Sequence, residues 1–410
     1  MRDVELYRQV LGLPEPWTVS RVELNVKKER VDLWVEWTGR PQWTCPKCQA
    51  VVPLYDHGDE RTWRHLDTCQ FMTYVHARPP RVDCPTHGVR QVRLPWAEPD
   101  ARFTALFERL AIDVLSESSV QGAARILRIS WDAAWGIMER AVARGLLAKK
   151  RRVPPLLGVD EKAVAKGHTY VTIVCDLTRG TVEHVADEAN QRSLDEYFAT
   201  LTAAQRARIA AVAMDMSEAY IQSVTTNLPD GAKKIVFDRY HIMVHMQKAV
   251  DKTWKQENGA LRAEGDESLK GTKPLWRYAA EHVPEKHEAR FVPLLQRPLR
   301  TARAWAIKED LRQTWDYATE AAARQHLKRW YFWATHSRVT PVIRAARTVH
   351  NHLRNILTYF THRITNAVAE GLNSKMQTIK QMACGFRNRE HYKTAIFFHC
   401  GGLNLYPVTH

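Results

Sequence analysis

The 410-residue chain has no uninterrupted apolar run of the roughly 18 residues that a membrane-spanning helix needs. Nor do the residues after Met1, Arg2-Asp3-Val4, begin a signal-peptide pattern. These two absences predict a cytoplasmic protein without a membrane partner. Cysteine is scarce and odd in number, at seven, which excludes a fully paired disulfide framework. In a reducing compartment the spacing Cys45-Pro-Lys-Cys48 points to a metal instead. Acidic residues are in deficit, 45 Asp and Glu against 60 Lys and Arg, a net charge of +15. That excess favours a polyanionic partner, most often nucleic acid, with anionic membrane as the other class. Hydrophobic content of 45% and length together leave room for a proper core and for several globular domains.

Near the N-terminus, Val22, Leu24 and Val26 alternate with polar residues, as do Val31, Leu33 and Val35, predicting two antiparallel strands about a turn at Lys27-Lys28-Glu29. The Cys45-x-x-Cys48 pair follows at once, and Cys84-Pro-Thr-His87 repeats its spacing further on. Two such knuckles supply a tetrahedral Cys3His set for one structural Zn2+. Cys69, His57, His65 and His76 lie between and are further candidates, but none has paired spacing. Between the knuckles, Trp63-Arg64-His65-Leu66-Asp67 reads as a packed strand or turn with Arg64 and His65 facing outwards. With Arg61, Arg78, Arg81, Arg90 and Arg93, the stretch suits a small, basic, zinc-stapled β domain able to meet DNA.

Beyond Pro99 the pattern becomes helical. Phe103, Leu106, Phe107, Leu110 and Val114 recur at three and four residues. A short helix starts near Ser118-Ser119, and Ser130 is placed to cap a third, WDAAWGIMERAVARGL. This is a helix-turn-helix arrangement whose third helix presents Trp131, Asp132 and Trp135 near its leading end to a major groove. The basic linker Lys149-Lys150-Arg151-Arg152 closes the segment and adds phosphate-binding charge. Arg387, in the tail Gly385-Phe386-Arg387-Asn388, is a further DNA-contact candidate.

The next block predicts strands at 156–160, 169–176 and 181–186, a helix from Ser193 to Leu201, a strand from Ile209 to Met214, a helix from Ser217 to Asn227, and a strand ending at Asp238. A basic turn from Lys162 to His168 is expected between the first two strands. That order is the order of an RNase H-like fold. It sets Asp160 or its neighbour Glu161 on the first strand and Asp215 at the end of the fourth. Alternation alone leaves open which of Asp160 and Glu161 is the functional one. From Met243 onward the chain reads as helical and rich in Trp and Arg, with Trp305, Trp315, Trp330, Tyr331 and Trp333 as an aromatic core or DNA-facing set. A helix from about Thr365 to Met382 then carries Glu370. Hard carboxylate ligands of this kind suit two-metal phosphoryl transfer.

The knuckles, WRHLD, GVDEKAVAKGHTY, AMDMSEAY, VFDRYHIMVHMQKAVD and NAVAEGLNSKMQTIKQMACGFRN together resemble transposases of the ISL-three insertion-sequence family, nearly end to end. The resemblance implies an α+β multidomain protein: a zinc-finger domain (1–97), a helix-turn-helix (98–150), an RNase H-like catalytic core in two parts (151–242 and 365–410), and an all-helical insertion (243–364). It implies Asp160, Asp215 and Glu370 as a DDE triad holding two Mg2+ or Mn2+ ions, and so decides for Asp160, with Glu161 supporting. Asp238-Arg239-Tyr240-His241 is similar to a D-x-x-H signature, which makes Asp238 and His241 supporting residues. His241 would position a water or touch DNA. The implied partners are terminal inverted repeats, target DNA and a second copy of the chain, and the implied location is the bacterial nucleoid. Two other readings fit part of these features: a sequence-specific DNA-binding regulator, and an RNase H-like nuclease acting on RNA or junctions.

Overall fold

The computed structural model describes residues 2–150, 152–165 and 169–408. The chain divides into two compact units, residues 1–150 with 381–384 and 390–410, and residues 151–380 with 385–389.

In the first unit, helix α1 (Asp3–Val10) precedes strands β1 (Trp17–Asn25) and β2 (Arg30–Trp37), which pair antiparallel with Leu24 opposite Val31. The turn closes through Glu29 in the left-handed conformation, while the Asn25 side chain accepts the Lys28 N–H at 3.0 Å. A bulge between Val19 and Arg21 keeps Val22 and Leu24 on the face of Trp17 and Val19, opposite Leu33 and Val31. Trp17 and Val19 are buried, while Leu24 at the far end of the strand and Val26 in the turn are exposed. The remaining strands are β3 (Trp43–Thr44), β4 (Val51–Val52), β5 (Leu54–His57), β6 (Arg61–Thr68), β7 (Phe71–Ala77), β8 (Pro80–Cys84) and β9 (Gly88–Gln91). They form a four-stranded sheet, β1-β2-β7-β6, a three-stranded sheet, β5-β8-β9, and the pair β3-β4. Trp96 seals the core, edge-on to Trp17 at 4.9 Å and to Trp63 at 5.6 Å.

Strand β6 corrects one expectation. Arg64 and His65 face inwards, 6% and 3% exposed. The main chain of Arg64 bonds on both sides to residues 102–104, which cover the strand. Its guanidinium donates to the carbonyls of His65 and Thr73, pairs with Asp67, and lies over the Tyr74 and Phe107 rings. A buried arginine is tolerated here because these partners replace water.

Three helices follow: α2 (Ala105–Glu117), α3 (Val120–Leu127) and α4 (Trp131–Ala148). Each begins at a hydroxyl cap. Thr104, Ser119 and Ser130 accept the N–H groups of Phe107, Gly122 and Ala133 at 3.3, 3.1 and 3.1 Å. Arg128, left-handed at φ 55°, turns the chain between α3 and α4. Glu108, buried on α2, ion-pairs with Arg140 and Arg144 of α4 and so locks the first helix onto the third.

The second unit is built on one five-stranded sheet, from β10 (Leu156–Ala165), β11 (Thr169–Asp176), β12 (Thr181–Asp187), β13 (Ala211–Met214) and β14 (Ile235–Phe237). Its order is β12-β11-β10-β13-β14. β10, β11 and β12 run antiparallel in sequence, whereas β13 lies parallel to β10 and β14 parallel to β13. Strand β10 extends past the expected end: Asp160 pairs with Ile173, Glu161 with Thr172 and Lys162 with Val171. The ladder with β11 carries on through a register shift at buried Val164 to Ala165, where a turn from Lys162 was expected. Lys166, Gly167 and His168 of that expected turn lie outside the described residues.

Helices α5 (Gln191–Ala199), α6 (Ala203–Ala207), α7 (Glu218–Asn227) and α8 (Gly231–Lys234) connect the later strands. Among the described residues, the chain after β14 is helical up to the last described helix: α9 (Arg239–Ala263), α10 (Glu285–Gln296), α11 (Arg300–Arg312), α12 (Glu320–Thr335), α13 (Thr340–Asn351), α14 (Leu353–Leu357), α15 (Tyr359–His362) and α16 (Ala367–Met382). Trp305, Trp315 and Trp330 sit in a core continuous with that of the sheet, while Trp333 stays exposed.

The last helix, α17 (Arg389–Cys400), and the tail pack in the first unit. Lys149 donates to the Gly401 carbonyl at 3.3 Å, Arg144 reaches the Leu405 carbonyl, and Tyr406 donates to Asp113 at 2.6 Å. Gly145 of α4 is where Leu403 crosses: a Cβ there would meet that side chain at 2.7 Å. Residues 365–380 thus pack with the sheet and 390–408 with the three helices, a partition different from a single closing segment at 365–410.

Candidate metal centres and nucleic-acid interface

Cys45 directly follows β3, and its N–H bonds to the Ala50 carbonyl at 2.9 Å, just before β4. Gln49, left-handed at φ 62°, folds the first knuckle back, and Gly88 at φ 66° does so for the second. The two turns bring Cys45, Cys48, Cys84 and His87 together with all four ligand atoms within 4.8 Å of one another. The Cys48 and Cys84 sulfurs are 3.7 Å apart, and His87 Nδ1 is 3.7 Å from Cys45 Sγ and 3.5 Å from Cys84 Sγ. A tetrahedron with Zn–S near 2.3 Å and Zn–N near 2.05 Å has edges of about 3.5–3.8 Å, so the donor set and its spacing fit a structural zinc. The backbone N–H of Cys48 draws the Cys45 thiol down to about 6, towards the thiolate that binds metal.

The unpaired candidates are used elsewhere. His57 stacks on Trp37, His76 stacks on Trp34 and bonds to Asp32 at 2.6 Å, and His65 bonds to the Thr104 hydroxyl at 2.8 Å. Cys69 is exposed in a turn.

The carboxylates are placed by the parallel part of the second sheet. Gly158 of β10 lies opposite Ala213 of β13, and Met214 opposite Phe237 of β14. Two residues past that register comes Asp160, two past Ala213 comes Asp215, and one past β14 comes Asp238. All three therefore stand near the C-terminal ends of adjacent parallel pairings, beside the place where the strand order reverses, the chain running out from β10 to β12 and returning at β13. Crevices for ligands form at such switch points. Asp215 Oδ1 accepts the Ser217 N–H at 3.0 Å, and Asp238 Oδ1 accepts the Tyr240 N–H at 3.1 Å as it caps α9. His241, in the first turn of α9, has Nε2 3.9 Å from Asp238 Oδ2.

Helix α16 brings Glu370 alongside. Asn373, one turn on, donates Nδ2–H to Asp160 Oδ2 at 2.6 Å. Lys162 donates to the Asn373 carbonyl at 3.0 Å, and Lys380 to the Ala163 carbonyl at 3.1 Å.

These groups feel one another. Burial pushes the Asp160 carboxyl above its ordinary range and nearby Asp215 adds to the shift, against the Glu161 N–H, His241 and Asn373. Burial also raises Asp238, with Glu370 and Asp160 adding, and raises Glu161, with Asp215 and Asp160 adding. Asp238, 5% exposed, keeps Oδ2 buried with no hydrogen-bond partner. A group of carboxylates that resist joint ionisation, with a buried oxygen unmatched by any donor, is the chemistry that divalent cations relieve, so the residues fit Mg2+ or Mn2+. Their spacing is looser than in the first unit. Among the described residues, only the Cys3His group brings three or more such ligand atoms within 4.8 Å. Asn373 was missed from the sequence, although its place three residues after Glu370 puts it on the same helix face.

The expected DNA contacts divide. Trp131, 40% exposed, stacks on Trp135 at 5.5 Å. Trp135 itself is 5% exposed, donates to Glu139 at 2.6 Å, and has its ring 4.4 Å from that of His391, so it serves packing rather than the surface. Lys150, Arg152 and Arg387 are exposed, and Lys149 is half-buried against Gly401. Arg151 lies outside the described residues.

Comparison with known proteins gives three adjoining matches. Residues 157–396 match the family profile described as transposase, of the ISL3 DDE type. Residues 41–87 match the zinc-finger of transposase IS204/IS1001/IS1096/IS1165, and residues 92–142 the helix-turn-helix domain of transposase family ISL3. The chain is 26% identical over 424 residues to the transposase for insertion sequence element IS1557 of Mycobacterium tuberculosis, covering 95% of this chain and 93% of that protein. It is 24% identical over 352 residues to the transposase for insertion sequence element IS1001 of Bordetella parapertussis, covering 85% and 86%.

Proposed function

Since the chain belongs to the ISL3 family of transposases, we propose that it binds the terminal inverted repeats of an insertion sequence, cuts DNA at the element ends, and joins the freed 3′-hydroxyls to target DNA. The observation that carries this reading is the register of the second sheet, with Asp160, Asp215 and Asp238 at the ends of adjacent parallel pairings and Glu370 on the helix whose Asn373 bonds to Asp160. Asp160, Asp215 and Glu370 are the metal-holding triad of this reading, with Asp238 and His241 in support. The sheet order β12-β11-β10-β13-β14 supports an RNase H-like core, and α9–α15 are then its helical insertion. In domain terms, 1–97 is the zinc-finger domain, 98–150 the helix-turn-helix, 151–242 and 365–380 the catalytic core, and 243–364 the insertion, while 390–408 belong with the first unit.

Two Mg2+ or Mn2+ ions, when bound, supply the activation of a water or 3′-hydroxyl and the charge stabilisation at the leaving oxygen. The protein's part is to hold hard oxygens at fixed positions, with Asp160 anchored by the Glu161 N–H and Asn373. In this reading His241 orients a water or touches a phosphate, which its place beside Asp238 supports. Exposed Lys150, Arg152 and Arg387 neutralise phosphates, and Trp131 leads α4 towards the groove. Two element ends must be handled together, so a homodimer is part of the proposal, as is a cytoplasmic, nucleoid-associated site of action. Among the described residues no helix is long and apolar enough to cross a membrane.

The test uses purified protein, labelled end DNA, and Mg2+ or Mn2+. Asp160→Ala, Asp215→Ala and Glu370→Ala should each lower strand cleavage by at least about a hundredfold while leaving end binding intact. Variants that nick like the wild type sink the triad. Binding without metal-dependent breakage favours the regulator, and cleavage indifferent to repeat ends and without strand transfer favours the nuclease.

A further inference from the structure

We propose that Asn373 is a positioning residue for the metal-binding carboxylate Asp160, setting the affinity of the site for divalent cation. This rests on the catalytic reading above. The Asp160 carboxylate has one fixed donor on each oxygen: the Glu161 N–H on Oδ1 at 2.8 Å and Asn373 Nδ2–H on Oδ2 at 2.6 Å. Two donors on two oxygens fix the carboxylate plane and leave each oxygen a lone pair for a cation. Without the amide, the carboxylate pivots about its Cβ–Cγ bond with one oxygen unheld.

The backbone of Asn373 is itself held: its main-chain carbonyl accepts the Lys162 amine at 3.0 Å, from the residue two places beyond Asp160 on the same strand. The reverse amide orientation would set Oδ1 against a carboxylate oxygen, so the charge of Asp160 selects the donor. Glu370 lies one turn before Asn373, so the contact that orients Asp160 also sets the position of Glu370 along β10. Lys380 ties the same helix to the same strand at Ala163, away from Asp160. It serves as a comparator for a purely structural fastening.

The experiment measures Mn2+ binding to the full chain directly, from the paramagnetic resonance signal of the free ion, and cleavage rate against Mg2+ concentration. Asn373→Ala should weaken Mn2+ binding about tenfold, the loss expected for one hydrogen bond to a charged group. It should raise the half-saturating Mg2+ by a similar factor, with the rate at saturating Mg2+ largely kept. Lys380→Ala should bind Mn2+ as the wild type does. Asn373→Gln keeps an amide donor, should recover part of the affinity, and carries the test if the alanine variant does not fold. Equal effects of Asn373→Ala and Lys380→Ala, or wild-type binding by both, overturn the positioning role. If Asp160→Ala also binds Mn2+ and cleaves like the wild type, the catalytic reading fails, which is a separate outcome.

Discussion

His65 shows how a single side chain departs from its sequence context. Flanked by Arg64 and Asp67, it reads as a surface residue, yet burial and the Arg64 charge push its imidazole down to about 4. The unfolded chain, with histidine near 6.5, binds the extra proton first, so stability is lost as pH falls from about 6.5 towards 4. Between pH 7 and pH 5 the loss is about 2 kcal/mol. His65→Gln, which can still bond to Thr104, should lack this component. Urea unfolding of both proteins at the two pH values, with zinc in excess, checks it through the difference in acid sensitivity. Parallel slopes would mean that His65 titrates normally. The burial was illegible because it depends on residues 102–104 and on Phe107, some 40 positions away, closing over the strand.

At the level of elements, the contact of β10 with α16 decides the geometry of the carboxylates. Gly158 is hemmed in by the end of β11 and by Asn366, the residue that leads into α16. A Cβ there would stand 2.7 Å from Cys175 Sγ, 2.8 Å from Leu177 Cδ2 and 3.0 Å from Asn366 Oδ1. Gly158→Ala should therefore cost about 1–3 kcal/mol of stability. It should also lower cleavage by at least tenfold, because a shift of α16 by a fraction of an ångström misplaces Glu370 and Asn373 against Asp160. A thermal midpoint and cleavage rate equal to wild type would show that the two elements do not need this approach. The helices of the first unit were plainly legible, since a hydroxyl before an apolar period specifies a start locally: Ser130 caps as expected, and the helix expected near Ser118-Ser119 starts at a Ser119 cap. The end of β10 was not, because strand length is set by the partner ladder of β11 rather than by Asp160-Glu161.

For the whole molecule, the zinc and carboxylate centres belong to different units with separate cores. Removing zinc should destabilise the first unit by several kcal/mol, in line with the coupling of structural zinc to folding. The unfolding of the second unit should stay unchanged. Cys48→Ser is expected to lower bound zinc from one ion per chain to none, by elemental analysis, and to move only the first of two calorimetric transitions. A single transition that shifts as one would contradict independent units. The same division bears on the C-terminus. Leu403 on Gly145 and Tyr406 on Asp113 make residues 390–408 part of the helical DNA-binding unit, though they follow the Glu370 helix in the chain.

The sequence by itself determined whatever is written within a few residues or in a family pattern: two knuckles of matching spacing, three helices with the Ser130 cap, a strand bearing Asp160, and membership of a transposase family. These are local matters because thiolate geometry, hydroxyl caps and the two-residue period of a strand act over one or two turns of chain. Only the tertiary structure decided which residues stand around Asp160, that Arg64 and His65 are inside, and that the tail returns to the first unit. Those depend on sheet register and packing between segments as much as 293 positions apart, where no local rule reaches.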